Sequence, residues 1–191
     1  MPDSSTVTRF SSSEGSARLI NATIELAKTT PIAKLTVRDI AATADLQTMH
    51  VKRYFGSRSG LLLAVSNTLM DRIVAPLIDL PLTKIFPILQ TNSDVVLRLR
   101  IVNHLLDEGM TPDSFDNDRI IYMKIAERIA EVNNVNQRTA ITYSLLIQLV
   151  LQGNHLMGDV NGITTKQRND IFNLLVVLGS QLGLSETALD W

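Results

Sequence analysis

The sequence predicts an all-α protein in two parts, a small basic helical unit followed by a larger, apolar helical domain. Apolar residues recur at helical spacing, with Thr or Ser at helix starts and Pro or Gly beyond helix ends. Charge divides unevenly: residues 1–60 hold 8 Lys/Arg against 5 Asp/Glu, and the remainder holds 10 against 14. Such asymmetry is one way to set a polyanion-binding module apart from the rest of a chain. The stretch from Thr139 to Gly158 carries no charge. It is long enough for a bilayer, but Gln148, Gln152, Gly153, Asn154 and His155 interrupt it, so it reads as a buried helix and not as a membrane span.

At 191 residues, with 45% hydrophobic and 19% charged residues, the chain has ordinary globular usage and room for one sizeable core or two small ones. It contains no Cys, which excludes disulfides, thiolate metal sites, iron–sulfur clusters and cysteine nucleophiles. A cytoplasmic protein is the default expectation. Met1 to Gly15 is rich in Ser and Thr and lacks the apolar segment of a secretory signal; it reads as a flexible arm.

Ser16 to Lys28 places Leu19, Ile20, Ile24 and Ala27 at helical spacing, and Pro31 stops its continuation. Thr36 stands as an N-cap before a short helix from Val37 to Ala44. Asp45-Leu46-Gln47 makes a turn, Thr48 to Tyr54 gives a third helix, and Gly56-Ser57 breaks it before a fourth from Arg58 to about Val74. Two short helices joined by a tight turn, with Ile40, Ala44, Leu46 and Val51 as buried contacts, form the helix-turn-helix pattern. Ala41 is small where the two helices cross. A compact helical corner of no particular function shares this spacing.

The segment LTVRDIAATADLQTMHVKRYFGSRSGLLLAV, Leu35 to Val65, sharpens the reading. In Thr36, Arg38, Ile40, Ala41, Ala44, Tyr54, Phe55, Ser57 and Leu61 it resembles the DNA-binding region of the tetracycline-repressor (TetR) family of bacterial transcription regulators, with Arg58 where Lys is usual. Asp45 stands in place of the usual turn Gly and Lys52 in place of the usual Tyr. Asp tolerates the left-handed conformation that such a turn requires.

The resemblance implies a domain division of arm 1–15, helix-turn-helix DNA-binding domain 16–60, and helical effector-binding and dimerisation domain 61–191. It also implies a homodimer, a double-stranded DNA operator and a small-molecule effector. Val51 and Phe55 face the core of the third helix, which leaves Gln47, Thr48, Met49 and Lys52 outward and, by the resemblance, toward bases. Gln can bond adenine bidentately, Lys can donate to guanine, and the methyl groups of Thr48 and Met49 suit the thymine methyl. By the same carry-over Thr36, His50, Tyr54 and Arg58 are the expected phosphate contacts.

Pro76, Pro81 and Pro87 predict broken helix or loop. Helices are then expected over Asp94 to Leu106, Asp116 to Glu131, Gln137 to Met157 and Thr165 to Leu182. On the first, His104 falls on a solvated arc with Arg100 and Asp107, whereas Asn103 lies on the apolar side. Tyr122 points inward among Ile125, Ala126 and Ile129. Asn103 and Tyr122 are thus the candidate effector-binding residues, set against the plainer reading of an internally hydrogen-bonded core.

On the last two helices, Leu145, Leu149, Ile171, Leu175, Leu178 and Leu182 lie on apolar faces that a second subunit would cover. An enzyme is the rival class. Its three His residues show no metal-ligand spacing and no phosphate-cradling Gly loop is present, so neither catalytic residue, cofactor nor metal is expected. A helical DNA-binding protein without an effector is the third reading.

Overall fold

The computed structural model describes residues 11–77, 80 and 82–181, and no strand occurs among them. Its contacts divide into two compact units. The first runs to Leu69 and takes in Arg100–Gly109; the second holds Met70–Leu99 and the residues from Met110 onward. This division differs from the boundary at residue 60, because a later helix sends its C-terminal half into the first unit.

The first unit is built on α1 (Ser12–Thr29), α2 (Val37–Thr43), α3 (Met49–Phe55) and the N-terminal part of α4 (Arg58–Val74). Helix α1 begins four residues before the expected Ser16, because Ser11 accepts from the backbone N–H of Glu14 and caps it. Part of the expected arm is therefore helical, and residues 1–10 lie outside the described residues. Thr36 caps α2 through the Asp39 N–H. Asp45 takes the left-handed conformation at φ 55°, as the turn demands, and Gly56 ends α3 at φ 75°, a region that costs a glycine nothing.

Leu19, Ile24 and Ala27 of α1, Ile40 and Ala41 of α2, Val51 of α3, and Leu61, Leu62 and Val65 of α4 are all buried. Burying a side chain of Leu or Ile size contributes about 1.5–3 kcal/mol, so this interior, and no local propensity, holds such short helices. The stretch Arg58–Leu77 is long and apolar enough to cross a membrane. Its buried leucines belong instead to a protein core.

In the second unit α5 (Leu82–Thr91) runs through Pro87, where broken helix or loop was expected. Proline removes one backbone hydrogen bond, but an apolar 10-residue segment with packing partners survives that loss. Leu89 of α5 packs against the unit's core. Helix α6 (Ser93–Asp107) is shared between the units. Helices α7 (Asp116–Asn133), α8 (Gln137–Met157) and α9 (Thr165–Ser180) complete the second, around Ala126, Ile129, Ala140, Tyr143, Phe172 and Leu175. Tyr143 donates to the Leu175 carbonyl, and its ring lies where a Cβ on Gly179 would stand. Helix α8 is buried on one side only. Ser144 is buried, while Leu145, Leu146, Leu149 and Leu156 are exposed.

Candidate nucleic-acid interface

Helix α3 buries Val51 and half-buries Phe55, and this fixes what its other face presents. Gln47, Thr48, Met49 and Lys52 are all exposed, Met49 to 62%. Met49 thus presents an apolar side chain to solvent at the start of the helix. The four expected base-reading residues therefore share one free surface.

The expected phosphate contacts have more varied surroundings. Tyr54 is half-buried and packs on α1, so close that a Cβ on Gly15 would lie 2.9 Å from its ring. His50 stacks on Tyr54 at 5.5 Å between centroids, and the exposed Arg53 guanidinium sits 5.8 Å from the same ring. Tyr54 thus steadies one cation and one imidazole at the edge of α3. Thr36 is exposed, but its hydroxyl donates to Asp39 Oδ2 at 2.6 Å while accepting from the Asp39 N–H at 3.1 Å. Its first task is the α2 cap.

Arg58 corrects the expectation outright. Only 21% of its side chain is exposed, and Nε donates to the Leu35 carbonyl at 2.8 Å. Nη2 donates to the Ile32 carbonyl and Nη1 to Glu108 Oε1 at 3.0 Å, with His104 Nε2 3.2 Å from Nη1. Ser59 donates to the other oxygen of Glu108 at 3.1 Å. The guanidinium that resembled a phosphate ligand is a tie between the start of α4, the segment leading into α2, and the end of α6. His104 is corrected with it: it is half-buried in this cluster, not solvated. Only long-range contact could have revealed this, since 50 residues separate Arg58 from Glu108.

Of the effector candidates, Asn103 and Tyr122 are each half-buried, but they fall in different compact units. Of the apolar seam, Leu145, Leu149 and Leu178 are exposed and Ile171 is half-buried. Leu175 is buried in the core of its own unit, which corrects its assignment to an interface. Leu182 lies outside the described residues. Leu146, Leu156, Leu174 and Val177 are exposed as well; helical spacing alone does not say where an apolar arc's buried edge ends.

No match to the chain was found among curated proteins. Residues 19–65, which run from α1 through α2 and α3 into α4, match the family model of bacterial regulatory proteins, tetR family. In this helix-turn-helix domain, about a quarter of its length, the chain is similar to the tetR family of bacterial DNA-binding transcriptional regulators.

Proposed function

We propose that the protein is a ligand-responsive repressor that binds a palindromic operator as a homodimer and is released from it by a small molecule. The observation that carries this reading is the exposed set Gln47, Thr48, Met49 and Lys52 on a helix whose opposite face is buried. A recognition helix places such residues at base edges in the major groove. His50 and Tyr54, with Arg53 beside them, are the groups suited to adjacent phosphates, and Thr36 can join them through the oxygen that caps α2. Arg58 is left out because its donors are engaged.

The exposed leucines of α8 and α9 support the homodimer, since uncovered apolar faces of this extent mark an interaction surface. Two-fold symmetry then demands two half-sites about one turn of DNA apart. The effector is assigned to the helical domain, with Tyr122, one turn from the buried Ala126, as an orienting polar group. Repression and release follow if the effector binds the DNA-incompetent arrangement more tightly, by a typical coupling of roughly 5–150-fold.

Selection from random-sequence DNA by the purified full-length protein tests the reading. A pair of inverted half-sites is the expected product, and a protein that enriches no sequence would contradict it.

A further inference from the structure

The place of the Tyr54 ring at the edge of α3 is decided partly by another helix. The ring meets Phe55 edge-on at 6.3 Å between centroids and stacks on His50 at 5.5 Å, with the Arg53 guanidinium 5.8 Å from its centroid. Its remaining neighbour is the first turn of α1. Gly15 is buried there, and a Cβ on it would lie 2.9 Å from both Cε2 and the hydroxyl oxygen of Tyr54. Non-bonded carbons pack at about 3.5–4.0 Å, so any side chain at this position has to move the ring. Helix formation gives no reason for a glycine here. The Gly15 N–H donates to the Ser11 carbonyl at 3.0 Å, and Gly15 is not among the residues in the left-handed region. Alanine would favour the helix more. What Gly15 supplies is space, and Tyr54 fills it.

We infer that Gly15 is a positioning residue for DNA binding: by leaving its space to the Tyr54 ring, it sets where Tyr54, His50 and Arg53 stand at the edge of α3. This rests on the reading that these three groups meet phosphates. An added methyl would meet the outer end of a half-buried side chain, so the cheapest relief is a swing of the ring, and α1 and α3 stay packed. His50 and Arg53 lie against that ring and shift with it. Phosphate contacts hold a recognition helix in register without reading sequence, so the shift weakens binding to every DNA alike. A glycine needed for packing alone would alter stability and leave the DNA affinity of the folded protein unchanged.

Gly15→Ala, Tyr54→Ala and the double variant, each as the full chain, separate these roles. Gly15→Ala is expected to keep wild-type helicity and, without DNA, to shift the ring-proton NMR signals of His50, which lies in the ring current of Tyr54. The signals of His104 and His155 should stay. Affinity for the selected operator and for random DNA should fall equally, by about threefold or more, so that their ratio is kept. In the Tyr54→Ala background the same substitution should cost no further affinity. Unmoved His50 signals, or wild-type DNA affinity in Gly15→Ala, would overturn the inference. So would an equal loss in the Tyr54→Ala background, since Gly15 would then act through some other group. An unfolded Gly15→Ala would show that the ring cannot swing, and would overturn it too. Shifted His50 signals together with wild-type DNA affinity in Tyr54→Ala would bring down the phosphate reading, and with it the role in DNA binding.

Discussion

The guanidinium of Arg58 satisfies the carbonyls of Ile32 and Leu35 and pairs with Glu108, so its removal strands two part-buried acceptors and a carboxylate. Hydrogen bonds that involve a charged group are worth about 1.5–3 kcal/mol each at most, and partial exposure discounts the ion pair. Arg58→Ala is therefore expected to lower the stability of the first unit by about 2–3 kcal/mol in chemical denaturation. Its affinity for random DNA, measured on folded protein, should change little. An unchanged denaturation midpoint with uniformly weaker DNA binding would return Arg58 to the phosphates. Local readings fared differently at neighbouring positions. The Thr36 cap and the left-handed Asp45 were legible because each depends on residues within three or four positions. The role of Arg58 was not, because its partners come from two other segments of the chain, at Ile32–Leu35 and at His104–Glu108.

Helices repeat the pattern. The span of α8 was legible from its uncharged, mostly apolar character, but the Asn136 cap and the face that it buries were settled by the structure. Helix α5 was missed because Pro87 argues against a helix locally, whereas its packing argues for one. One contact between these two elements should be visible in solution. His155 on α8 is half-buried, and its Nε2 donates to the Leu89 carbonyl of α5 at 3.3 Å. Burial pushes its pKa below the ordinary 6.5; the bond to Leu89 opposes this, and the nearby positive charge of Arg168 adds to it. The unfolded chain then binds a proton at a higher pH than the folded one. Stability from this group is complete above about pH 6.5 and declines as pH falls from there toward the depressed folded value. The thermal midpoint is expected to drop between pH 6.5 and 5.5, and His155→Gln should flatten that part of the curve. A curve unaltered by the substitution would show that His155 titrates alike in both states.

At the scale of the whole molecule, the helix-turn-helix order was readable from sequence, but the recruitment of Arg100–Gly109 into the first unit was not, since nothing local marks where a helix changes neighbours. The uncovered leucines of α8 and α9 bear on assembly. Leu149 is 66% exposed, so a charge there is tolerable in a folded monomer and costly in a dry seam. Leu149→Glu should sediment as a monomer with wild-type helicity, and an unchanged dimer would place the interface elsewhere. A palindromic site requires two reading heads at fixed spacing, so this monomer should also lose most of its operator affinity. The central claim, that the outward face of α3 reads sequence, is tested most directly by measuring the affinity of Lys52→Ala for the selected operator and for random DNA at one salt concentration. A base contact is worth roughly 1–3 kcal/mol of discrimination, so the ratio of the two affinities should fall by about tenfold or more while random-DNA binding weakens less. Equal losses on both DNAs would contradict the account.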